Sequence, residues 1–275
     1  MSGELDNLRV VLVATRNPLN IGAAARAMSN FGCRHLRFVN PYAVAFREAR
    51  SAVGAAELLA NAEEFGTLAE AVQDCSLVVG TTVASRRELQ HELRGLEEGG
   101  LEITRQLKTG SVALLFGSER FGLSNQDLSY CHWLMRIPTR EEHRSMNLGQ
   151  AVAICMYELV RTEATGSGNI SPAGKDAVAK GGDIERLTQL FFDILRVSGY
   201  VNPRGLPATE EKLRRMVRRL DLSATDAELW LGMLRQVSWK LGAGETAERN
   251  LEAESHIKKE DDLIGKSDLS TRRKS

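Results

Sequence analysis

The chain has no run of about 18 apolar residues, so no membrane-spanning helix is expected. The opening stretch MSGELDNLRV has neither a basic segment nor an apolar core, so it does not read as a signal peptide. Four cysteines, Cys33, Cys75, Cys131 and Cys155, lie far apart with no C-x-x-C pair. That argues against a zinc knuckle or a disulfide framework and for buried free thiols in a reducing cytoplasm. Five histidines, His35, His91, His132, His143 and His256, are scattered without ligand spacing, so no metal site is expected. His132, beside Trp133, reads as a core or interface histidine. There is no G-x-S-x-G elbow, and no G-x-G-x-x-G follows the first strand. A serine hydrolase and a dinucleotide enzyme are therefore disfavoured. Lys and Arg (36) balance Asp and Glu (36), which argues weakly against a polyanionic partner unless basic residues cluster locally.

What is present is an alternation. LRVVLVAT (8–15), HLRFVNP (35–41), SLVVGTT (76–82), SVALLFGSE (111–119) and WLMRIP (133–138) read as buried strands. Between them lie helical stretches: NIGAAARAMSNFG (20–32) with Gly32 as its stop, a stretch around AREARSAVGAAELLANA, TLAEAVQDC, LEITRQL and the short LSNQDLSYC. NLGQAVAICMYELVRTE is a long final helix. Strands alternating with helices predict an α/β domain over 1–163 with a mainly parallel sheet. ATGSGNISPAGKDAVAKGG, within 164–182, reads as a linker. Residues 183–242 predict a small all-helical extension of three amphipathic helices, Ser223 and Asp226 forming a capping box for the third. Residues 243–275 are charged and poor in apolar side chains, so disorder is expected there.

Three stretches break the apolar pattern at strand ends, where ligands of open α/β sheets bind. In TRNPLNIGAAAR, Asn20 stands where a helix N-cap belongs, Arg26 follows, and small residues let another backbone approach. A capped, alanine-packed helix explains this as well as a binding site does. In LLFGSERFGL, Gly117 ends a strand before Ser118, Glu119 and Arg120. Glu119 could hold a ligand amine or an arginine; a polar turn with a surface ion pair is the less favoured account, since Gly-x-Glu-x-x-Gly at a buried strand's end is a costly way to make a plain turn. In RSMNLGQ, Asn147 could cap the long helix. A cap alone leaves Ser145 and the basic approach Arg136, Arg140, His143 and Arg144 unexplained, and that approach could meet phosphates.

Taken in order, NIGAAAR, LLFGSERFGL and IPTREEHRSMNLGQAVAI resemble the three motifs of the TrmH-like branch of the SPOUT RNA methyltransferases, over about residues 8–162. Met146 stands where the family has leucine. The resemblance implies a deep trefoil knot at about 78–162, a homodimer through the knot region, and S-adenosylmethionine as methyl donor. It implies cofactor contact for Thr81, Thr82, Val83, Gly117, Ile137, Arg144, Ser145, Met146 and Leu148. It implies catalysis or its support for Arg26, Glu119, Ser145, Asn147 and Asn20.

The helical tail is similar to that of family members acting on tRNA. This implies a cytoplasmic tRNA ribose 2′-O-methyltransferase acting on cytidine or uridine at nucleotide 32 of the anticodon loop. A ribosomal-RNA methyltransferase and a non-catalytic RNA-binding member are the alternatives. After VASRR the chain runs ELQHELRGLEEGG, without the proline-rich loop of those relatives, which leaves target choice open. RNA contacts are expected from Arg16, Arg86, Arg87, Arg140 and Arg144. Arg214, Arg215, Arg218 and Arg219 form a second candidate, one basic helical face, which could equally be a solvated face of a packing helix.

Overall fold

The computed structural model describes residues 5–40, 55–83, 90–140, 142, 145–165, 177–201 and 205–242. Among the described residues seven strands form one parallel sheet: β1 (Leu8–Val13), β2 (His35–Val39), β3 (Glu63–Phe65), β4 (Leu77–Thr81), β5 (Leu93–Gly95), β6 (Val112–Phe116) and β7 (Trp133–Arg136). Their spatial order is β3-β2-β1-β6-β4-β7-β5, and every pairing is parallel.

The inner strands are apolar throughout because both their faces are covered. Along β1, Leu8, Val10 and Leu12 enter one core while Val11 and Val13 enter the other. The same alternation runs through β6, with Val112, Leu114 and Phe116 on the first side and Ala113 and Leu115 on the second. The first face is covered by α1 (Pro18–Asn30), α2 (Ala56–Ala60), α4 (Leu96–Leu107) and α6 (Leu148–Ala164). The second is covered by α3 (Leu68–Ala71) and α5 (Asn125–Ser129). The small residues of α1 let α6 come close: a Cβ on Gly149 would stand 2.6 Å from Ala23 Cβ.

Two edge strands, β3 and β5, went unread in the sequence. Each is three residues long and part exposed, so neither shows an apolar run. ELQHELRGLEEGG, read as a loop, contributes β5 and the first turn of α4 from Leu96.

The tail forms α7 (Gly181–Val197), α8 (Leu206–Arg218) and a helix over 224–242, α9, around a separate apolar core that includes Leu187, Phe192, Val217 and Leu231. Ser223 Oγ accepts from Asp226 N at 3.1 Å and starts α9 as expected. The end of the stretch read as a linker carries structure: Val178 bridges Ser223, and the Gly181 N–H donates to Cys75 O at 2.8 Å. All four cysteines are buried free thiols, each pushed up to about 12 chiefly by burial. His132 is a core histidine; its Nδ1 accepts from Val78 N at 3.0 Å.

Candidate active site

The carboxyl ends of β4, β6 and β7 open on one cavity of about 340 Å³, within the range of small-molecule sites. Thr81, Thr82 and Val83 line it after β4, and Gly117 to Leu123 after β6. Met135 in β7 and Ile137 and Thr139 beyond it add to the lining, and Ser145, Met146, Leu148 and Ala151 close it from the start of α6. The turn after β6 is tight. A Cβ on Gly117 would lie 2.1 Å from the carbonyl carbon of Gly122, so only glycine lets the chain fold back on the strand end. Thr81 Oγ1 donates to Leu115 O at 2.8 Å, tying β4 to β6 below the cavity.

A chain of polar groups joins the walls. Glu119 accepts from the backbone N–H of Arg16 (3.4 Å) and Asn17 (3.3 Å) and from Asn20 Nδ2 (3.1 Å). Asn20 Oδ1 accepts from Asn147 Nδ2 at 2.8 Å. Asn147 Oδ1 accepts from the N–H of Gly149 (2.9 Å) and Gln150 (3.4 Å), capping α6. Burial pushes the Glu119 carboxyl up, but its hydrogen bonds outweigh that and hold it below the usual carboxylate range. The three asparagine and glutamate side chains thus fix the start of α1, the turn after β6 and the start of α6 as one unit.

The family model described as the SpoU rRNA Methylase family matches residues 7–157, which contain every one of these groups. The chain belongs to the SpoU methylase family. Among the relatives of this SpoU methylase is the "tRNA (cytidine/uridine-2′-O-)-methyltransferase TrmJ" of Sodalis glossinidius (strain morsitans). It is 34% identical over 241 residues, spanning 85% of this chain and 92% of that protein. The crystal structure of TrmJ from Z. mobilis ZM4 superposes with a TM-score of 0.71 at 31% identity, covering 83% of this chain and 98% of that one. A probable methylase family protein from Haemophilus influenzae Rd KW20 gives 0.54 at 30% identity, covering 87% and 99%. The family read from the three sequence motifs is borne out.

Within this SpoU methylase, eight of the nine residues expected at the cofactor line the cavity: Thr81, Thr82, Val83, Gly117, Ile137, Ser145, Met146 and Leu148. Arg144, the ninth, lies outside the described residues, as do His143, Arg86, Arg87 and the tail from 243 onward. Glu119, Asn20 and Asn147 come together as described. Arg26 sits on the exposed side of α1 and is not among the residues lining the cavity.

Three readings are corrected. Asn20 is not the N-cap of α1; Asn17 is, its side chain accepting from Leu19 N at 2.9 Å, because Pro18 takes the first helical position. Asn20 is thereby freed to face Glu119. Glu119 pairs with no arginine side chain among the described residues; it takes backbone N–H groups and an amide instead.

The arginine run on α8 is not a solvent-facing phosphate surface. Arg214, Arg215 and Arg218 are all buried against the rest of the chain. Arg214 bonds Glu185, Glu210 and Ser129 Oγ and lies 4.4 Å from the centroid of the Tyr130 ring. Asn17 was missed in the sequence, although the pair Asn17-Pro18 carries the signal for a helix start.

Proposed function

We propose that this chain is an S-adenosylmethionine-dependent tRNA ribose 2′-O-methyltransferase acting on cytidine or uridine, at nucleotide 32 of the anticodon loop. The observation that carries this reading is that the second and third motif stretches line one cavity and the first is tied to them through the hydrogen bonds of Asn20 to Glu119 and Asn147, in a chain whose relatives named as tRNA cytidine/uridine 2′-O-methyltransferases align through the helical tail as well. The proposal includes the trefoil knot over about 78–162, a homodimer through that region and a cytoplasmic location.

The cavity suits such a cofactor. Phe116, Leu123, Met135 and Ile137 offer apolar walls for a flat ring, and Thr82, Ser118 and Ser145 offer polar groups beside them. Thr81 to Val83, Gly117, Ile137 and Arg144 to Met146 with Leu148 would hold it. When bound, S-adenosylmethionine supplies a methyl group on a positively charged sulfur, a good leaving group.

The work left to the protein is positioning and the management of one proton. Arg26 carries a planar guanidinium, which donates hydrogen bonds and accepts none. In this reading it binds the phosphate beside the target ribose and orients the 2′-hydroxyl, whose proton goes to that phosphate or to solvent. Ser145 and Asn147 hold the ribose. Glu119, fixed as an anion, keeps Asn20 and Asn147 aimed.

The test is methyl transfer from labelled S-adenosylmethionine to unmodified bulk tRNA and to rRNA in parallel, with nuclease mapping of the product. Label at a 2′-O-methylated anticodon-loop pyrimidine is expected; label in rRNA alone overturns the substrate, and label in neither overturns the activity. Arg26→Ala is expected to abolish turnover while cofactor affinity stays within a few fold.

A further inference from the structure

Phe121 is 70% exposed, yet it lines the cavity. Single exposed apolar side chains are common and need no explanation by themselves. This one is held differently from a chance surface residue. It stands at the tip of the tight turn after β6. The Gly122 N–H donates to Ser118 O at 2.8 Å, and Ser118 and Gly122 form an antiparallel bridge. The Phe121 N–H donates to Ser118 Oγ at 3.3 Å. Gly122, at φ 67°, closes the turn in a conformation that side-chain-bearing residues rarely take. The guanidinium of Arg120 lies over the ring, 5.0 Å from its centroid. Among the described residues Arg120 forms no ion pair.

An aromatic ring with a cation over it, most of its surface exposed and a fixed position at the mouth of a cavity is what an unstacked nucleobase needs. Single-stranded RNA is recognised by stacking on aromatic rings and on arginine planes, with the neighbouring positive charge meeting the backbone. We infer that Phe121, backed by Arg120, is a stacking shelf on which a base of the substrate RNA rests while its ribose reaches the cavity. This rests on the RNA-methyltransferase reading above and adds the element that positions the strand. Because every base presents a π-face, the shelf positions the nucleotide without reading its identity.

The experiment is steady-state methylation of unmodified bulk tRNA by the full-length protein and by Phe121→Ala, Phe121→Leu and Phe121→Tyr. Affinity for S-adenosylmethionine and the oligomeric state of each are measured alongside. Phe121→Ala and Phe121→Leu are expected to raise KM for tRNA about tenfold, with kcat and cofactor affinity within twofold; Phe121→Tyr is expected to behave as the parent protein.

Parental kinetics in the alanine variant overturn the shelf. Full rescue by leucine overturns stacking in favour of plain apolar packing. A KM change that tracks a change in oligomeric state assigns Phe121 to contact with a second copy of the chain and overturns the proposal. If the parent protein methylates no RNA, it is the underlying activity that fails, a result distinct from any of these.

Discussion

At the mouth of the cavity, Glu119, Asn20 and Asn147 stand at least partly in solvent, and each contact among them joins a donor to an acceptor. At the seam between α5 and α8, Arg214 and Arg218 lie one helical turn apart at 3% and 2% exposure, and their fates differ. Arg214 shares two carboxylates and a hydroxyl. All three guanidinium nitrogens of Arg218 are buried, with no hydrogen-bond partner among the described residues. Burial, the largest cause, pulls Arg218 below the usual arginine range, while Glu185 partly offsets it. The mouth can be polar cheaply, since water takes up whatever its partners miss. The seam has no such reserve, so each charge there depends on the partners the fold places within reach.

The sharpest break in that comparison is Arg214→Ala. It strands Glu185 and opens the seam, and should destabilise the protein by roughly 3 kcal/mol, read by urea unfolding. Arg218→Met should act in the opposite direction. An apolar side chain of similar length replaces an unpaired buried cation, and a gain of about 1 kcal/mol is expected in the same assay. A loss as large as that of Arg214→Ala would mean that Arg218 is paired after all.

Acid should act on the buried side before the mouth. His132, beside Arg218, is pulled down to about 3, chiefly by burial. From the ordinary histidine value of 6.5 down to that point the unfolded chain takes up a proton that the folded chain refuses. This residue alone should therefore take roughly 1 kcal/mol from stability between pH 6 and 5, and His91, pulled down to about 4 by burial, adds to the fall. His132→Asn, which keeps an acceptor for Val78 N, should flatten that slope.

The depressed Glu119 carboxyl contributes stability that is full above the ordinary value of 4.5 and is lost only as pH falls through its lower folded value. The last change to test is Asn147→Ala. It removes the cap of α6 for about 1 kcal/mol of stability, while methyl transfer falls by more than that loss of fold accounts for.

The mouth was largely legible in the sequence and the seam was not. Polar residues placed between a buried strand and a buried helix, as at Gly117 to Arg120 and Ser145 to Asn147, stand out against the apolar pattern on both sides. The inner strands were equally plain because both faces of β1, β4 and β6 are buried. Arg214, Arg215, Arg218 and Arg219 show the limit. Their i, i+4 spacing is real, but spacing says which residues share a face and not what that face meets. Only the docking of α8 against Tyr130 and Ser129, far away in sequence, turns Arg214, Arg215 and Arg218 inward, while Arg219 stays exposed. Asn20 and Asn17 divide in the same way. Either residue type could cap α1, and Pro18 together with the distant Glu119 decides which one does.

The placing of β6 between β1 and β4 has a consequence for synthesis. As the chain leaves the ribosome, β1, β2 and β3 can join in the order they appear. β4, an apolar strand at 77–81, has no neighbour in the sheet until residues 112–116 emerge, and its other side stays open until 133–136. Parallel pairings between segments so far apart are slow to close, and the half-made sheet carries a sticky edge throughout the wait. The cavity is later still, since its last wall is the start of α6. A nascent chain arrested between residues 82 and 111 should thus be the species that a cell's chaperones hold longest.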